Sequence, residues 1–93
     1  MYNYVLTKDA EEDLDRIHEY GVGRFGMFQA DKYYALFFEC FEKIASNPLM
    51  FPNSRHLNKK YRYCVCGVDT IFFKIIDDNL VEIITIIGRQ DYK

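Results

Sequence analysis

Apolar and polar positions along the chain alternate with two different periods, and the change of period marks out the elements. Tyr2 to Leu6 is short and β-rich. Thr7 then offers a hydroxyl to cap a helix whose first turns hold Asp9, Glu11, Glu12 and Asp13, acidic groups that suit a helix N-terminus. Ala10, Leu14, Ile17 and Gly21 follow the i, i+4, i+7, i+11 rhythm of one helical face, while Asp15, Arg16 and Glu19 point elsewhere. A glycine costs about 1 kcal/mol in a helix interior. Gly21, Gly23 and Gly26 therefore predict that this helix frays or ends between positions 21 and 26, with a tight turn after it.

A second helix is predicted from Met27 to Ser46. Phe28, Ala30, Tyr33, Tyr34, Phe37, Phe38, Cys40, Phe41 and Ile44 are apolar, and Gln29, Lys32, Glu39 and Lys43 form the polar stripe. That apolar arc is too wide for a single contact. Asn47-Pro48 stops the helix, and the stretch to Lys60, with Pro52, Asn53, Ser54 and Asn58, reads as an irregular surface loop. Three strands follow: Tyr61 to Cys66, Thr70 to Ile76 and Leu80 to Ile87, separated by gaps of hairpin length.

The order is β-α-α-β-β-β, an α+β fold with a helical hairpin packed on one face of a four-stranded, mainly antiparallel sheet. If the two helices return the chain to the end it left from, the first strand lies antiparallel beside the meander. The last two strands do not alternate cleanly, so the second face of the sheet needs a cover. A partner would supply it, since an exposed apolar patch on a small protein marks a docking site; the loop at 47–60 or the termini folding over that face is the alternative.

Ninety-three residues support one domain, 1–93, and a composition 49% hydrophobic and 17% aromatic excludes a disordered chain. Net charge is −2, divided as five basic against nine acidic groups in residues 1–50 and seven against five in residues 51–93. Nucleic-acid binders carry a strong basic excess, so direct sequence-specific nucleic-acid binding is not expected. No signal-peptide pattern opens the chain and no apolar run approaches the ~18 residues of a membrane span, which predicts a cytoplasmic protein with no membrane partner. Cys40 is expected inside the second helix. Cys64 and Cys66 share one face of a strand, but neither the remaining cysteine nor the two histidines fall at metal-site spacings, so no metal and no cofactor are predicted.

Asp13-Leu14-x-x-Ile17-x-x-Tyr20, Ala45-x-Asn47-Pro48, Tyr61-Arg62, Ile71-Phe72-Phe73 and Ile86-Ile87-Gly88-Arg89-x-Asp91 together resemble the ParE branch of the RelE/ParE toxins, over nearly the whole chain and in order. These are toxins of bacterial type II toxin–antitoxin modules, and β-α-α-β-β-β is the family's fold. The glycines at 21, 23 and 26 depart from the better helix formers usual at this point in the family.

The resemblance implies a ParD-like antitoxin as partner, whose C-terminal segment wraps over helices and sheet. Tyr33, Tyr34, Phe37, Phe38, Phe41, Ile84 and Ile86 are the expected groove residues. It also implies that the chain is a protein-binding toxin acting on DNA gyrase, with no catalytic residues of its own. Arg89, Asp91 and Tyr92, with Lys60 and Arg62, are the expected target-binding residues.

The alternative is a RelE-like, ribosome-dependent mRNA endonuclease, for which Lys59, Lys60, Arg62 and Arg89 supply cations and Tyr92 a proton. Against it stand the negative net charge, Asp91 beside Arg89, and His18 and His56, which read as surface residues away from the C-terminal cluster. Bland readings remain open too: Lys59-Lys60-x-Arg62 also suits an edge that resists strand pairing, and Arg89 an ion pair with Asp91 or another local carboxylate.

Overall fold

Thr7 ends one element and starts the next. In the computed structural model, which describes residues 1–55 and 57–88, strand β1 (Asn3–Leu6) runs into Thr7, and the Thr7 hydroxyl accepts from the Ala10 N–H at 3.1 Å to cap helix α1 (Lys8–Phe25). Gly26 alone links α1 to α2 (Met27–Ser46). It sits at φ +90°, where a side chain would be strained, and its N–H still donates to the Val22 carbonyl at 3.0 Å. The helices are therefore folded back on each other at the glycine cluster. A single 3₁₀ turn, Pro48–Met50, follows Asn47, and after the loop come β2 (Arg62–Cys66), β3 (Asp69–Asp77) and β4 (Leu80–Gly88).

The four strands form one sheet in the order β1-β4-β3-β2. β2–β3 and β3–β4 are antiparallel, but β1 lies parallel to β4, with Asn3 opposite Leu80 and Leu6 opposite Ile83. The antiparallel placement expected for the first strand is thereby corrected. The cause lies at the end of α2: the Tyr2 N–H donates to the Ala45 carbonyl at 2.9 Å, so the hairpin delivers the chain to the beginning of β1 rather than to its end. β2 then starts in the direction of β1, and two reversals leave β4 parallel to it.

Two irregularities explain the poor alternation of the last strands. Phe73 pairs with Ile83 while Phe72 pairs with Thr85, leaving Ile84 as an extra residue; Ile75 pairs with Val81 while Asp77 pairs with Leu80, leaving Ile76. The first bulge turns both Ile83 and Ile86 toward the helices. There they join Ile71, Phe73 and Val81 against Ala10, Leu14, Phe37, Phe41 and Ile44. On the sheet's other face Thr70 and Phe72 are also buried, with the Tyr63 ring beside Phe72. The centre of that face is buried, although Val65, opposite Thr70, stays exposed on it. Other large exposed apolar side chains, Tyr20, Phe25, Met27 and Phe28, gather around the hairpin bend.

Cys40 faces Cys64 and Cys66 inside the core, and all three are free and buried. Burial first, and the neighbouring Cys40 next, push the Cys64 thiol up to about 11. Cys66 is driven further in the same direction for the same reasons. Such thiols are structural and unreactive. No helix among the described residues is long and apolar enough to cross a membrane.

Candidate functional site

β1 is four residues long and β4 nine, so the upper half of β4 loses its strand neighbour after Ile83. Helix α1 takes over that edge. The Thr7 N–H donates to the Ile83 carbonyl at 3.0 Å, and the Thr7 hydroxyl donates to the Ile84 carbonyl at 2.7 Å. One turn further on, a single carboxylate oxygen of Asp13 accepts from the Thr85 hydroxyl at 2.7 Å and from the Ile86 N–H at 2.9 Å. These bonds fix α1 on the strand that ends at Gly88, immediately before Arg89. Arg89, Asp91 and Tyr92 lie outside the described residues, as does His56.

Of the other expected target contacts, Lys60 is exposed in the turn before β2, its N–H donating to the Asn58 side-chain oxygen at 2.8 Å. Arg62 is committed differently. Its guanidinium donates to the Phe51 carbonyl at 2.6 Å and holds the loop, whose Phe51 ring packs edge-on against Phe73. Segment 52–54 follows the outer edge of β2, where Tyr63 donates to Pro52 at 3.1 Å and Ser54 to Tyr61 at 2.8 Å. Beside it, Arg55 and Lys59 border an open hollow of about 810 Å³ together with Tyr63. Arg55, Lys59, Lys60 and Arg62 thus gather on the β2 side of the molecule.

The expected groove divides between core and surface. Phe37, Phe41 and Ile86 are 0–1% exposed and lie in the core, out of reach of a partner, because α2 spends the middle of its wide apolar arc on the sheet. Ile84 is half-buried at the bulge. Tyr33 works as a clamp: its hydroxyl lies 2.7 Å from an Asp69 carboxylate oxygen and 2.9 Å from the Cys66 carbonyl, and accepts from the Val68 N–H at 3.1 Å. Burial and the Asp69 carboxylate hold its phenol well above the usual range. Gly67, at φ +60°, lets the hydroxyl end of the ring come up against the β2–β3 turn, since a Cβ there would meet ring and hydroxyl atoms of Tyr33 at 2.5–3.0 Å.

Tyr34 at the surface and half-buried Phe38 lie one turn apart along α2, their tilted rings 5.2 Å apart at the centroids. Tyr34 separates two hollows. Toward the hairpin bend, Ile17, Tyr20, Phe25, Tyr33 and Val68 surround about 380 Å³ of strongly apolar space. Toward β1, Val5, Leu14 and Phe38 line about 730 Å³ whose rim carries Glu11 and Asp15. His18, partly buried between the helices, faces the Tyr34 ring at 5.3 Å and its Nε2 lies 2.8 Å from Asp31 across the hairpin. Glu11, Asp15, Val5 and Leu14 were not among the expected site residues. The signal for them was the acidic bias of residues 1–50 combined with one apolar helix face.

The model of the ParE toxin of the type II toxin–antitoxin system parDE matches residues 4–92, which is nearly the whole chain. The chain belongs to the ParE toxin family. Toxin ParE1 of Caulobacter vibrioides is 33% identical over 90 residues, covering 97% of this chain and 92% of that protein. Toxin ParE1 of Mycobacterium tuberculosis is 21% identical over 87 residues, 94% of this chain and 89% of that one. Among solved structures, a chain of the chromosomal ParDE system from P. aeruginosa superposes with a TM-score of 0.81 at 18% identity, covering 95% of this chain and 96% of that one. The α+β architecture described above is thus the fold of a ParE toxin, and the chain is the toxin component of a type II module.

Proposed function

We propose that this ParE-family toxin binds DNA gyrase in the cytoplasm and blocks its cycle without cutting RNA, and that a ParD-like antitoxin neutralises it by covering the outer face of the helical hairpin around Tyr34 and Phe38. The observation that carries the target is the continuous match to the ParE toxin model through residue 92. It takes in Arg89 and Asp91, which follow directly on an interior strand of the sheet, and recognition residues are best held by a rigid scaffold. The antitoxin reading rests on the two hollows flanking Tyr34, one strongly apolar and the other apolar with Glu11 and Asp15 at its border, both open to solvent. A disordered segment that orders as it binds buries surface of this kind.

Purified toxin added to gyrase, ATP and relaxed plasmid is expected to block supercoiling or accumulate cleaved DNA, while mRNA in a reconstituted translation reaction stays intact. Untouched gyrase together with cut ribosome-bound mRNA would replace this reading with the endonuclease one, for which Arg55, Lys59 and Tyr63 offer a basic hollow.

A further inference from the structure

The outer edge of β1 carries backbone groups that the fold does not use. In a parallel pair, alternate residues of a strand turn their N–H and C=O toward the neighbour. The Asn3 N–H donates to the Asn79 carbonyl at 2.8 Å and the Thr7 N–H to the Ile83 carbonyl at 3.0 Å. Asn3, Val5 and Thr7 therefore face β4, and Tyr2, Tyr4 and Leu6 face away. Tyr2 is satisfied by the Ala45 carbonyl. Among the described residues, no backbone partner meets the N–H of Tyr4 or of Leu6.

This edge forms one wall of the 730 Å³ hollow, with Leu14, Tyr34 and Phe38 as apolar floor and far wall and Glu11 and Asp15 on the rim. A third carboxylate is close: the Tyr4 phenol is raised above its usual pKa first by burial and then by the charge of Glu42. The place thus joins an unpaired strand edge, an apolar seat and negative potential.

We propose that an extended segment of the antitoxin adds to the outer edge of β1 as a fifth strand. Its backbone pairs with Tyr4 and Leu6, an apolar side chain seats against Leu14, Tyr34 and Phe38, and a Lys or Arg lies beside Glu11 and Asp15. The inference rests on the antitoxin reading above and specifies how that partner is held. Strand addition supplies affinity through main-chain bonds and specificity through alternate side chains. Tyr4 and Leu6 are about 7 Å apart along the strand, so a partner strand of three to five residues is enough. A second copy of this chain is a poor occupant, because pairing β1 with β1 would bring another Glu11 and Asp15 to the same acidic rim, and like charges in an interface oppose binding.

The test is residue-resolved hydrogen exchange on the labelled toxin, alone and co-purified with the antitoxin encoded in the adjacent reading frame. The amides of Tyr4 and Leu6 are expected to exchange about 100-fold more slowly in the complex, whereas Val5, already turned to β4, changes little. In the same complex, the double substitution Glu11→Gln and Asp15→Asn is expected to raise Kd about tenfold and to flatten its salt dependence. A complex that forms while Tyr4 and Leu6 exchange as before overturns strand addition and leaves the antitoxin reading standing. An unchanged Kd in the double variant removes the basic anchor. Failure to form any complex overturns the antitoxin reading itself, and strand addition with it.

Discussion

The Tyr33 hydroxyl has one proton and three neighbours, and the balance among them decides what it holds together. Its shortest contact, 2.7 Å, is to the Asp69 carboxylate, which is only 8% exposed. A charge-assisted bond of this kind outweighs the one available to the neutral Cys66 carbonyl, and it leaves the oxygen free to accept from Val68. Tyr33→Phe keeps the ring against Gly67 but strips the carboxylate of its donor. The expected cost is about 1–3 kcal/mol, because a buried acceptor loses its partner while the packing survives. Urea denaturation monitored by circular dichroism measures it, and a midpoint equal to that of the parent protein would show that water replaces the hydroxyl. Gly67 belongs to the same contact, since any side chain at that position runs into the Tyr33 ring.

Among the elements, the helical hairpin was the most legible and the sheet the least. Thr7 as cap, the end of α1 among its glycines, and the span Met27–Ser46 all follow from short-range chemistry, and the structure has them as expected. The direction of β1 does not, because it depends on which end of β1 receives the last turn of α2, a contact between Tyr2 and Ala45 that no local pattern encodes. The two bulges were equally hidden: an extra Ile84 or Ile76 in an isoleucine-rich strand looks like one more apolar residue. For the same reason the apolar arc of α2 marked Phe37, Phe38 and Phe41 alike, although the sheet takes the first and last and leaves the middle one near the surface. Asp13 was visible only as part of a resemblance. Its role in finishing the open edge of β4 needs the fold, and it makes a prediction at this scale. Asp13→Ala leaves the Thr85 hydroxyl and the Ile86 N–H without their acceptor, which should cost about 2–3 kcal/mol. In a domain of this size that lowers Tm by about 10 °C. The Arg16 pair lost with it contributes little, being exposed. Thermal unfolding of Asp13→Ala beside Arg16→Ala separates the two, and equal melting temperatures would mean that α1 does not stabilise β4 through this carboxylate.

At the scale of the whole molecule, two charged clusters among the described residues sit by opposite edge strands of the sheet. The hollow by β1 carries Glu11 and Asp15, while Arg55, Lys59 and Lys60 lie near β2, the opposite edge strand of the same sheet. If the antitoxin is held at the hairpin and the target is met through Arg89, as proposed, single substitutions should divide the two. Tyr34 is 36% exposed and meets His18 edge-on and Phe38 at a tilt, outside the buried centre. Tyr34→Ala should weaken the antitoxin complex by roughly 2 kcal/mol, about thirtyfold in Kd, as loss of an aromatic anchor does, while toxicity in cells without antitoxin persists. Arg89→Ala should do the reverse. Lying past the apolar run, it is expected to alter stability by no more than about 1 kcal/mol and to leave antitoxin affinity nearly unchanged, yet to abolish growth arrest if the arginine anchors the target. Growth assays with and without induced antitoxin, read beside calorimetric Kd values and melting curves for both variants, give the comparison. If Arg89→Ala loses antitoxin affinity and toxicity together, one surface serves both partners and the antitoxin neutralises by occupying the target site directly. If the two losses stay apart, neutralisation works from the hairpin side, by bulk or by holding the sheet's end out of contact.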